Sequence, residues 1–125
     1  MGQNLKLNQM AFKFENLKVW VLASQLSNEI DLMTLTFPAR EKYSLCTQIK
    51  KAADSVALNI AEGSTGQSNA EFKRFLNYSI RSAIEVVSCL FLANGRQYID
   101  DEAKQKYYNS YEVLIKMLTK LRDSL

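Results

Sequence analysis

Five cations are spaced as a nucleic-acid contact would need them: Lys50 beside Lys51, Lys73 beside Arg74, and Arg81 two helical turns beyond Arg74. On a helix, Arg74 and Arg81 share a face with Asn77 and Tyr78. Guanidinium groups beside an aromatic ring can follow a phosphate backbone and stack a base. The competing reading is a solvated helix flank, because Asp54, Glu71 and Glu85 are interspersed among the cations. Lys50, Lys51, Lys73, Arg74 and Arg81 are therefore candidate nucleic-acid contacts whose affinity should fall with added salt.

A second polar group, Asn59, Glu62, Gly63, Ser68 and Glu71, surrounds a break in the chain. Amides at the start of a following helix can hold an anion. The structural reading is better: Ser68 and Glu71 form an S-x-x-E capping box, and Asn59 and Glu62 stand where they can tie down loop amides. Other chemistry is poorly supplied. There is no histidine, the commonest acid–base group and zinc ligand at neutral pH. Cys46 and Cys89 lack CxxC spacing and read as two buried, reduced thiols. Gly63-Ser64-Thr65-Gly66 spells GxxG, but no Gly-Lys-Ser/Thr follows and no neighbouring strands are indicated. No serine or lysine has a recognisable activating partner. The chain reads as a non-enzyme with no cofactor and no metal.

Helices must position these groups. At 125 residues and 14.3 kDa, with 47% hydrophobic and 23% charged residues, the chain suits one globular domain. A net charge of +3 announces neither nucleic acid nor a membrane. After Gly2, glycine occurs only at 63, 66 and 95 and proline only at 38. The Leu- and Ala-rich segments between these breakers predict helices over about 16–35, 39–62, 69–94 and 100–124. Pro38 suits the first turn of the second helix, and Gly95 suits a left-handed cap on the third. Residues 1–13 read as an N-terminal extension and 14–125 as the packed domain.

Each helix carries one apolar seam: Trp20, Ala23, Leu26 or Ser27, Ile30 and Met33; Leu45, Ile49, Ala52 or Ala53, Val56 and Ile60; Phe72, Phe75 or Leu76, Ser79, Ala83, Val86 or Val87, Leu90 and Ala93; Tyr107, Tyr111, Leu114, Leu118, Leu121 and Leu125. Tyr107 and Tyr111 should bury their rings and reach a rim with their hydroxyls. Short connections between such helices predict an all-α, antiparallel up-down-up-down four-helix bundle. No apolar run reaches the roughly 18 residues of a membrane span, so a soluble cytoplasmic protein without a membrane partner is expected. Val21, Leu22, Leu32, Leu58, Ile80, Ile84, Phe91, Leu92 and Tyr108 lie off the seams. A second apolar face of this kind is best explained by self-association.

The run from Gln48 through Asp54-Ser55-Val56 to Asn59-Ile60-Ala61-Glu62-Gly63, followed by Ser68, Glu71-Phe72 and Phe75-Leu76, resembles the central signature of the 23S ribosomal RNA intervening-sequence protein family. Phe14, Leu17, Val19, Trp20, Phe37-Pro38, Glu41, Tyr43 and Leu45 extend the match, which covers nearly all of 14–125. The resemblance implies a bundle that assembles into a homo-oligomeric ring, a pentamer, acting as a scaffold or interaction protein. Similar accessory proteins of diversity-generating retroelements bind a reverse transcriptase and nucleic acid through a basic ring surface. That likeness supplies the alternative: an accessory protein whose partner is RNA or a nucleic-acid-processing protein. The chain departs from the family pattern at Gly66-Gln67, Arg81 and Val87.

Overall fold

The computed structural model describes residues 11–66 and 68–125. It contains four long helices, α1 (Lys18–Thr34), α2 (Leu45–Gly63), α3 (Asn69–Gly95) and α4 (Asp101–Asp123), and no strand among the described residues. A 3-10 turn, Lys13–Asn16, precedes α1, and the Phe14 ring lies 4.7 Å from Trp20. Of the expected extension, residues 1–10 lie outside the described residues, and Lys13 already belongs to this turn.

The second helix does not begin at residue 39. Pro38 instead opens a separate 3-10 turn, Ala39–Glu41, and α2 starts at Leu45. The break is stabilised by Glu41, whose carboxylate accepts from the Ser44 hydroxyl at 2.7 Å and from the Leu45 amide at 3.4 Å. Glu41 thus does for α2 what an N-cap side chain usually does. At the other breaks the caps are local. Ser68 accepts from the Glu71 amide at 3.0 Å, and Asp100 accepts from the Ala103 amide at 2.8 Å.

The third helix ends differently from the expectation. Gly95 is its last helical residue, and the left-handed position falls on Gln97, with φ of 65°. The Tyr98 amide donates to the Ala93 carbonyl and the Gln97 amide to Asn94, both at 2.9 Å. This is the hydrogen-bond pair of a Schellman cap, built without glycine at its left-handed residue.

Three α1–α2 contacts fix direction: Thr34 with Cys46, Asp31 with Lys50, and Ser27 with Asp54. Numbers fall on one helix as they rise on the next, so the two run oppositely. Gln48 with Glu85 and Val56 with Ser79 do the same for α2–α3; Phe91 with Tyr108 and Asn77 with Arg122 do so for α3–α4. Tyr107 of α4 reaches Glu29 of α1 and closes the four-helix bundle.

The seams meet in one core. Ala23, Ile30, Ile49, Ala53, Val56, Ile60, Leu76, Ala83, Val86, Leu90, Leu114 and Leu118 have no exposed surface. α2 and α3 pack most extensively, with small residues at their contact: Gly63 lies against Phe72 and Phe75, and Ser79 reaches the Val56 backbone. Buried Ser79 satisfies its hydroxyl on the Val56 carbonyl at 2.9 Å. α3 is the one helix among the described residues long and apolar enough, by length and composition, to cross a membrane. Here it packs one apolar stripe against its neighbours and exposes others.

Candidate functional site

Packing separates the five candidate cations into two groups. Gln48 faces α3, whereas Lys50 turns to α1 and pairs with Asp31 at 3.1 Å. Lys51 is exposed and, with Lys42 and Lys50, borders a groove of about 620 Å³ between α1 and α2. Lys73, Arg74 and Arg81 are exposed on α3. The Arg74 guanidinium pairs with Glu71, donates to the Tyr78 hydroxyl at 3.3 Å, and lies 5.1 Å and 5.7 Å from the centroids of Phe75 and Tyr78. Its hydrogen bond to Glu71, then that to Tyr78, holds its pKa above the ordinary arginine value. Such a ring-flanked cation offers a flat surface for a nucleobase more readily than a free grip on phosphate.

The α3 group gains a member that sequence reading missed. Arg122 of α4 donates to the Asn77 side chain at 2.8 Å and pairs with Asp123 at 3.1 Å. It stands 45 residues from Asn77, so only the opposed run of α3 and α4 brings it beside Arg74 and Arg81. No local spacing signals it.

Around the α2–α3 turn, loop amides are satisfied by backbone. The Ser64 amide donates to the Ile60 and Ala61 carbonyls, and the Thr65 amide donates to Glu62. The Asn59 side chain donates back to the Ser55 carbonyl at 2.8 Å, and the exposed Glu62 carboxylate has no hydrogen bond among the described residues. Ser68 caps as expected, but Glu71 sends its carboxylate to Arg74, so the box is formed on one side only. Gly63 is helical and buried. A Cβ there would come within 2.6 Å of the Phe75 Cβ and 3.0 Å of Phe72 Cδ1. Its role is close approach of α2 and α3; the left-handed residue of the turn is Gly66, with φ of 90°.

Over residues 15–120 the chain matches the family model described as 23S rRNA-intervening sequence protein. The chain belongs to that family. The fold of this family member is also similar to a crystal structure of a protein of unknown function from the S23 ribosomal protein family of Bacteroides thetaiotaomicron. The TM-score is 0.77 at 24% identity, covering 84% of this chain and 95% of that one. No curated protein matches.

Within the matched region, the Glu41 carboxylate gathers four hydrogen-bond donors among the described residues. Besides Ser44 and Leu45, it accepts from the Tyr98 hydroxyl at 2.6 Å and the Arg96 guanidinium at 3.0 Å. These donors, Tyr98 foremost and then Ser44, lower its pKa to about 2 against the opposing effect of burial. Arg40 adds a hydrogen bond to the same Tyr98 oxygen at 3.1 Å.

Exposed apolar side chains occur on all four helices of this 23S rRNA-intervening sequence family member, and two groups of such side chains lie on opposite sides. The contacts α1–α2, α2–α3, α3–α4 and α4–α1 make a square, so the α1–α2 and α3–α4 sides are opposite. On the first, Leu35 is 77% and Tyr43 85% exposed beside the groove. On the second, Ile84, Val87, Tyr108 and Ile115 line a crevice of about 230 Å³, and half-exposed Phe91 packs edge-on to Tyr108 under the Lys104 ammonium.

Proposed function

We propose that this protein is a non-enzymatic helical scaffold that associates with copies of itself in a closed ring in the cytoplasm. Five copies is the order implied by the family resemblance. One observation carries the reading: among the exposed large apolar side chains, Leu35 and Tyr43 lie on one flank and Ile84 and Phe91 on the opposite, unlike one. A single self-complementary patch would favour a two-fold dimer, whereas unlike patches on opposite sides favour head-to-tail contacts, which form a ring when the rotation between copies closes and a filament when it does not. The absence of histidine and the pair of free thiols, Cys46 and Cys89, are in keeping with a non-catalytic protein of a reducing compartment.

Native mass spectrometry tests the reading. The expected species has five times the 14.3 kDa chain mass, and either Tyr43→Glu or Phe91→Glu should shift it to the single chain while leaving the circular-dichroism spectrum helical. A wild-type chain that stays single at high concentration overturns the ring.

A second reading, an RNA-binding accessory protein, is favoured by the Arg122–Asn77 bond, which carries the α3 cations across onto α4. A gel shift with structured RNA should weaken steeply between low and moderate salt, and Arg81→Ala should weaken it further. Binding that is flat with salt removes this reading.

A further inference from the structure

Tyr111 of α4 is completely buried, yet its hydroxyl has no hydrogen-bond partner among the described residues. It does not reach a rim, as its place in the seam had suggested. The tyrosine one turn earlier, Tyr107, is satisfied: its hydroxyl donates to Glu29 of α1 at 3.1 Å. A second polar link lies between α1 and α2, where the Ser27 hydroxyl donates to Asp54 at 2.5 Å. Burial first, then the Asp54 charge and more weakly Glu29 and Tyr107, raises the Tyr111 pKa, so the phenol keeps its proton and must place it somewhere.

Buried hydroxyls are almost always paired, with protein or with ordered water. A phenol needs an acceptor for its hydrogen. The Asp54 and Glu29 carboxylates act on Tyr111 through their charge, and neither is hydrogen-bonded to it. Water has the complementary valence: a lone pair for the phenol and O–H groups for a carboxylate. Ser27 cannot replace it as a donor to a bridging group, because its hydrogen is already given to Asp54.

We propose that one ordered water molecule is bound at the buried Tyr111 hydroxyl, accepting its hydrogen and donating to Asp54, which reaches the site from the α1–α2 groove. It joins three helices through a group that none of them reaches alone, and it does not depend on the scaffold reading. A crystal structure of the wild-type chain at high resolution should show a water about 2.8 Å from Tyr111 Oη. The same site should be dry in Tyr111→Phe. In urea, Tyr111→Phe should raise the unfolding constant about fivefold to tenfold, and Asp54→Asn should then add less than it does in wild type. No water at Tyr111, a hydroxyl bonded directly to protein, or a Tyr111→Phe variant as stable as wild type each overturns the proposal.

Discussion

Tyr98 gives its hydroxyl hydrogen to Glu41 across 2.6 Å, although 57 residues separate them. This bond fastens the turn before α2 to the turn after α3, and Arg96 reinforces it from the same side. Glu41→Gln should therefore lower Tm by on the order of 5 °C, read by circular dichroism, with Tyr98→Phe acting in the same direction. The folded-state pKa of Glu41 is depressed from 4.5 to about 2. Its contribution is then fully present above about pH 4.5 and is lost as pH falls toward 2. Wild type should lose stability through that window, and Glu41→Gln should lose less.

Gly63→Ala should destabilise the protein by about 1–3 kcal/mol, because the added methyl meets the Phe75 Cβ, which is anchored to backbone and cannot swing away. Urea denaturation measures it. An unchanged midpoint would mean that α2 and α3 are farther apart at this end than described.

At the end of α3 the two relevant positions should respond in the opposite sense. Gly95 is helical with open space where a Cβ would go, so Gly95→Ala should stabilise by roughly 0.5–1 kcal/mol. Gln97 holds the left-handed conformation, so Gln97→Gly should also stabilise, by about 1 kcal/mol. Thermal melts of the two variants and their combination check both.

The thiols should differ in reactivity. Burial, with a smaller effect of Glu85, pushes Cys89 up to about 11, whereas Cys46 is only half-buried and is raised less, mainly by burial. At pH 8, iodoacetamide should label Cys46 before Cys89, and Cys89 should become equally reactive only in denaturant. Mass spectrometry of the peptides distinguishes them.

The seams were legible in the sequence because Ile49, Val56 and Ile60, or Leu114 and Leu118, repeat at the helical period, and burial follows that period directly. The start of α2 was not. Its position depends on a carboxylate held by Arg96 and Tyr98, and partners so distant in sequence leave no periodic trace. Gly63 was visible as a glycine but misleading as a breaker, since its reason is the volume of Phe75 on the next helix. The cations were likewise visible one by one. Their grouping was not, because Lys50 is turned away by Asp31 while Arg122 is brought in by Asn77.

The contact of Gly63 with Phe72 and Phe75, continued by the small residues between α2 and α3, makes these two helices the spine of the molecule. Sliding one past the other would drive rings into backbone, so thermal opening must begin by peeling α1 or α4 from this pair. Amide protons of Val56 and Ala83 should consequently be among the last to exchange with deuterated solvent, after those of the outer pair have already gone.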